Sequence, residues 1–69
     1  MKTIGENLRT IRIELGLTQK EFAEKLGYGC QNISNWEKNR NIPTAHTIKK
    51  IHDIFGVEYE DIYDYNLEN

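Results

Sequence analysis

Sixty-nine residues carrying a net charge of −2, one proline, one cysteine and 38% apolar side chains bound one small domain with a modest core. A single cysteine excludes an internal disulfide framework, and the apolar runs are too short for a membrane span. Met1-Lys2-Thr3-Ile4-Gly5-Glu6 also breaks the apolar run that a signal peptide needs, so the expected compartment is the cytoplasm.

Thr3-Ile4-Gly5-Glu6 is a capping-box pattern, in which hydroxyl and carboxylate each bond the other residue's backbone amide. Ile4, Leu8, Ile11 and Leu15 follow at i, i+4, i+7 and i+11, which predicts an amphipathic helix over about 4–15 that stops at Gly16. Arg9 and Arg12 lie off that apolar face. Thr18-Gln19-Lys20-Glu21 repeats the capping box, and Phe22, Ala23 and Leu26 give the inner face of a second helix over 19–26. Gly27-Tyr28-Gly29 ends it, because glycine accepts the left-handed conformation of a helix C-terminus.

A third helix, over about 30–38, has only two large apolar residues, Ile33 and Trp36. At about 100° per residue, Gln31, Ser34, Asn35 and Lys38 point away from that pair, with Cys30, Asn32 and Glu37 on the flanks. Gln and Asn can bond adenine through N6 and N7 in the major groove. The same pattern also describes an ordinary solvated helix face. Pro43-Thr44 opens a fourth helix over 45–55 whose core face is Ala45, Ile48, Ile51, Ile54 and Phe55, ending at Gly56. A short fifth helix over 59–64, with Ile62 inward, falls in an acidic, tyrosine-rich tail, 57–69.

Charge is divided along the chain. Residues 1–50 hold all nine Lys and Arg against five acids, a net of +4, whereas residues 51–69 hold six acids and no Lys or Arg. A polyanion is attracted by the body and repelled by the tail; a merely solubilising tail has the same composition.

Leu-Gly-Leu-Thr-Gln at 15–19, Phe-Ala-Glu-Lys-Leu-Gly at 22–27 and Ile-Ser-Asn-Trp-Glu at 33–37 together resemble the helix-turn-helix of the Cro/repressor (XRE-type) family. Pro43 and Phe55-Gly56-Val57 also fall where that family has such residues, so the resemblance runs from about Ile4 to Tyr63. It implies an all-α, compact five-helix, lambda-repressor-like domain spanning residues 1–69. The function implied is a transcriptional regulator, more specifically a repressor, that binds double-stranded DNA.

By this resemblance, bases are read from the places of Cys30, Gln31, Asn32 and Asn35. The DNA backbone is met by Gln19, Lys20, Ser34, Lys38, Arg40 and Asn41, and Tyr28 either touches a phosphate or covers the core edge. Arg12 and Glu37 fall where the family has a partly buried ion pair. Tyr59, Ile62, Tyr63, Tyr65 and Leu67 lie where it has the dimer contact, although these rings can instead pack on their own protomer. A homodimer would set two reading helices about 34–36 Å apart, matching a pseudo-palindromic operator.

Three departures stand out. Gly29 replaces the usual serine or threonine cap; Cys30 replaces a long donor and flanks the core face, where a small semi-buried thiol is its expected role ahead of base reading; and Asn39 replaces a glycine, with asparagine still tolerating the left-handed turn. A rival reading is a protein-interaction module of antitoxin or antirepressor type on the same fold. No catalytic constellation is expected. His46 and His52 have no second cysteine or acidic cluster to complete a metal site, and neither a cofactor nor a small-molecule effector is implied.

Overall fold

Reciprocal caps and left-handed turns fix where this chain changes direction. In the computed structural model, which describes residues 2–63, Thr3 Oγ1 accepts from the Glu6 amide at 3.1 Å and Glu6 Oε1 accepts from the Thr3 amide at 2.9 Å. Thr18 and Glu21 repeat the arrangement at 3.0 and 2.8 Å. Each box satisfies two amides that a helix start otherwise leaves without a partner. They open α1 (Ile4–Glu14) and α2 (Gln19–Leu26), which are followed by α3 (Cys30–Glu37), α4 (Ala45–Phe55) and α5 (Tyr59–Tyr63). No strand occurs among the described residues.

The first three helices end alike. Leu17, Tyr28 and Arg40 amides reach back to the carbonyls of Arg12, Ala23 and Asn35 at 3.1, 2.9 and 2.9 Å. The preceding Gly16, Gly27 and Asn39 are left-handed, at φ 74°, 81° and 62°. This is the Schellman closure, and Asn39 is the non-glycine residue that bears it among the described residues.

The core follows from the apolar stripes. Phe22, Leu26, Ile33 and Ile51 are fully buried, Leu8, Ala23 and Ile48 nearly so, and Trp36 closes one edge. Phe22 and Phe55 stack with centroids 4.8 Å apart, tying α2 to the end of α4. At the start of α1, a Cβ on Gly5 would lie 2.0 Å from the Trp36 carbonyl oxygen, so α1 and α3 approach as closely as only glycine permits.

Periodicity placed three residues on core faces that the packing leaves outside. α1 stops at Glu14, one residue early, and Leu15, its cap, keeps a right-handed helical backbone on the stripe yet is 41% exposed because no helix covers it. Ile54 is 44% exposed at the edge of the α4 stripe, and Ala45, in the first turn of α4, is also exposed. Five short helices cannot cover every apolar position. The end of α3 likewise falls at Glu37, with Lys38 as its cap.

Candidate nucleic-acid interface

The helix-turn-helix formed by α2, Gly27–Gly29 and α3 is held from inside by one carboxylate. Arg12 on α1 donates through Nε to Glu37 Oε2 at 2.6 Å and through Nη2 to Oε1 at 3.1 Å. Gln19, the first residue of α2, donates through Nε2 to the same Oε1 at 3.0 Å. Arg12 Nη1 also donates to the Leu17 carbonyl at 2.9 Å. Only 12% and 4% of the Arg12 and Glu37 side chains are exposed. The hydrogen bond to Glu37 holds the Arg12 pKa above its usual value, against the opposing effect of burial, with Glu37's charge adding to the rise. One buried charge therefore fixes α1, α2 and α3 relative to one another.

With Ile33, Trp36 and Glu37 turned inward, α3 presents its other residues to solvent. Cys30, Gln31 and Asn32 are exposed, and Ser34 and Asn35 half-buried. Cys30 is thus no semi-buried thiol: it is exposed at the start of α3, with its Sγ 4.0 Å from Gln19 Oε1. Gly29 supplies no side-chain cap, so this start of α3 also lacks a hydroxyl partner for its amides. Arg40 Nη1 stands 3.5 Å from Asn35 Oδ1, bringing a cation to the edge of the amide row. Lys20, Lys38, Arg40 and Asn41 are all exposed around the two helices.

Two expected site residues are engaged elsewhere. The Tyr28 hydroxyl shares a 2.6 Å hydrogen bond with buried Thr47, and its ring meets Trp36 edge-on at 5.4 Å with Lys50 over the face. Tyr28 therefore covers the core edge, and its oxygen already has a partner. Ile62 is fully buried within its own protomer, where its backbone carbonyl accepts from Asn7 Nδ2 at 2.9 Å, so it is a core residue and not a subunit contact. Tyr59 and Tyr63 are half-buried on α5, Tyr59 stacking on His52 at 4.4 Å. Tyr65 and Leu67 lie outside the described residues.

Sequence reading passed over Asn7, Thr47 and the His52 Nδ1–Val57 carbonyl bond of 2.7 Å that braces the α4–α5 corner. Each joins elements that no local pattern connects. Thr47 alone carried a signal: it sits three residues after the Thr44 cap, whose oxygen accepts from its amide at 3.2 Å. Among the described residues no group of His, Cys, Asp and Glu is arranged to hold a metal ion, and no helix is long and apolar enough to cross a membrane.

Two short helices joined by a tight turn, the second with its polar side free, define a helix-turn-helix domain. The Helix-turn-helix family pattern matches residues 8–62, and the chain belongs to that family, in its XRE-type branch. It is similar to the HTH-type transcriptional regulator ImmR of Bacillus subtilis, 38% identical over 55 residues, covering 80% of this chain and 43% of ImmR. The HTH-type transcriptional repressor RghR of the same organism is 35% identical over 63 residues, covering 90% of this chain and 47% of RghR. An uncharacterised HTH-type transcriptional regulator of Methanocaldococcus jannaschii, MJ0272, is 40% identical over 58 residues, covering 84% of this chain and 88% of that protein. The chain thus spans less than half of the two Bacillus proteins and most of the archaeal one.

Proposed function

We propose that this chain is a sequence-specific regulator that reads the major groove of double-stranded DNA with α3, binds as a homodimer, and represses transcription by occupying its operator. It acts in the cytoplasm and is a binding protein, not an enzyme. The observation that carries this reading is the split of α3: Ile33, Trp36 and Glu37 are buried, while Cys30, Gln31 and Asn32 stand exposed together with half-buried Asn35 beside them. A helix pinned on one side and amide-bearing on the other matches the donor and acceptor edges of the major groove.

Gln31 and Asn35 are the principal base readers, with Asn32 and Cys30 contributing at the margins of the site. Lys20, Ser34, Lys38, Arg40 and Asn41 meet phosphates and fix register without conveying sequence. Gln19 adds a phosphate contact through its backbone amide at the start of α2, its side chain being occupied by Glu37. Tyr59 and Tyr63, with Tyr65 and Leu67, form the homodimer contact, which sets two α3 helices against the halves of a pseudo-palindromic operator. The repressor assignment draws support from RghR, whose name states that role.

Selection of bound fragments from genomic DNA, followed by titration of the selected operator, tests the reading. Gln31→Ala with Asn35→Ala should abolish the preference for that operator, each lost bidentate contact costing about 1–3 kcal/mol of discrimination. The unfolding midpoint should stay close to that of the parent, since Gln31 is exposed and neither side chain bonds the core. A double variant that still selects the parent's fragments with undiminished affinity overturns the proposal.

A further inference from the structure

Gly5 and Arg12 face α3 from α1, seven residues apart on one side of the helix. Asn7, Thr10 and Glu14 are set about 150–210° around from that line. There they form one wall of a groove of about 440 Å³, whose other wall is the α4–α5 corner. Its apolar surface comes from Ile11, Leu15, Phe55 and Val57. A neighbouring groove of about 390 Å³ shares Leu15 and Phe55 and adds Leu17, Ile54 and the exposed Lys25, so the apolar face continues beyond the first groove to a cation at its far side.

We propose that this groove docks a basic amphipathic segment of a partner protein. Glu14, Glu58 and Asp61 line it, and no Lys, Arg or His does. Among the described residues the ion pairs are Arg12–Glu37 and Lys49–Asp53, so none of these three carboxylates is neutralised. Asn7, also lining the groove, is 5% exposed and donates through Nδ2 to the Ile62 carbonyl. Three carboxylates outside any ion pair among the described residues and an apolar floor together call for an occupant bearing cationic donors on one side and aliphatic side chains on the other.

Charge rules out the nearer candidates. A second copy meeting this groove face to face would oppose three carboxylates to the same three. Residues 64–69 bring Asp64 and Glu68 and no cation. DNA is repelled by the same carboxylates. The inference does not depend on which bases α3 reads, because the groove lies on the other side of α1.

The test is a titration of the isotope-labelled chain, followed by amide chemical shifts. One synthetic helical peptide of leucine and lysine is compared with its counterpart bearing glutamate for lysine. The lysine peptide should shift amides of Thr10, Glu14, Val57 and Asp61, and the glutamate peptide should leave them unmoved. Glu14→Lys with Asp61→Lys, both exposed positions, should weaken binding by about tenfold or more, as like-charge opposition does. Glu60→Lys, a control outside the groove, should leave it unchanged, and operator binding should survive in all three proteins. Shifts gathered elsewhere, equal loss in the Glu60 control, or undiminished binding to the charge-reversed protein would each overturn the proposal. So would sedimentation in which Leu15→Ser turns a dimer into a monomer, since a second copy would then fill the groove.

Discussion

A carboxylate with 4% of its side chain exposed needs protein donors in place of the water it has lost, and Glu37 is supplied with three. Removing one partner of such a pair strands the other, which costs about 3–5 kcal/mol, a large share of the roughly 5–15 kcal/mol that holds a domain together. Glu37→Ala should therefore lower the urea midpoint severely, and Arg12→Ala should do the same. Gln19→Ala, which removes one neutral donor, should cost nearer 1–2 kcal/mol. An unchanged thermal midpoint in Arg12→Ala would refute this account. The pH dependence has a definite sign: the folded pKa of Arg12 is raised, so its stabilisation is complete below the ordinary guanidinium value and lost only above it. Arg12 thus adds no slope to stability between about pH 5 and 9, where the guanidinium is charged in both states. The positions of Arg12 and Glu37, 25 residues apart, were legible only through family resemblance, because no local pattern links them. Ile62 was legible as an inward residue, but its bond to Asn7, 55 residues away, carried no signal.

At the scale of the element, α3 has the weakest start among α1 to α4. Thr3, Thr18 and Thr44 cap α1, α2 and α4 with side-chain hydroxyls, whereas Gly29 caps α3 with none. Gly29 has φ −80° and ψ 154°, extended backbone that any residue adopts, and a Cβ there meets nothing within 4 Å. Gly29→Ser should accordingly stabilise the domain by a few tenths of a kcal/mol, raising the midpoint by about 1–3 °C in calorimetry. A drop in the midpoint would mean that the cap geometry is wrong. The caps and turns were readable in the sequence because their chemistry is local: Thr-x-x-Glu twice, Gly16, Gly27 and Asn39 where φ turns positive. The faces were readable in direction but not in depth. Periodicity put Leu15 and Ile54 on core stripes, and only the number of helices available to cover them determines that they stay 41% and 44% exposed.

For the molecule as a whole, the separation of charge along the chain becomes a question of how many cations can meet a phosphate. Arg12 is committed to Glu37, and Lys49 to Asp53 at 2.8 Å. Lys50 lies over the Tyr28 ring, 5.7 Å from its centroid, and Lys25 lines the apolar groove by Leu15 and Ile54. With Lys25 set at that groove, Lys20, Lys38 and Arg40 are the remaining exposed cations carried by the two helices of the motif and the loop that follows it. In the proposed homodimer, six such groups, each neutralising one phosphate and releasing a counterion, should give a slope of log K against log salt of about −5. The acids of α5, Glu60 and Asp61, can only reduce the long-range attraction, so regulators with strongly basic surfaces should lose affinity faster as salt rises. Titration of the selected operator across a salt series measures this slope directly. Arg40→Ala in each protomer should remove two contacts per dimer and make the slope shallower by about 2, with sequence preference retained because a phosphate contact carries no base information. A parent slope steeper than about −8 would require cations beyond these six and would place more of the surface against DNA than helices α2 and α3 provide.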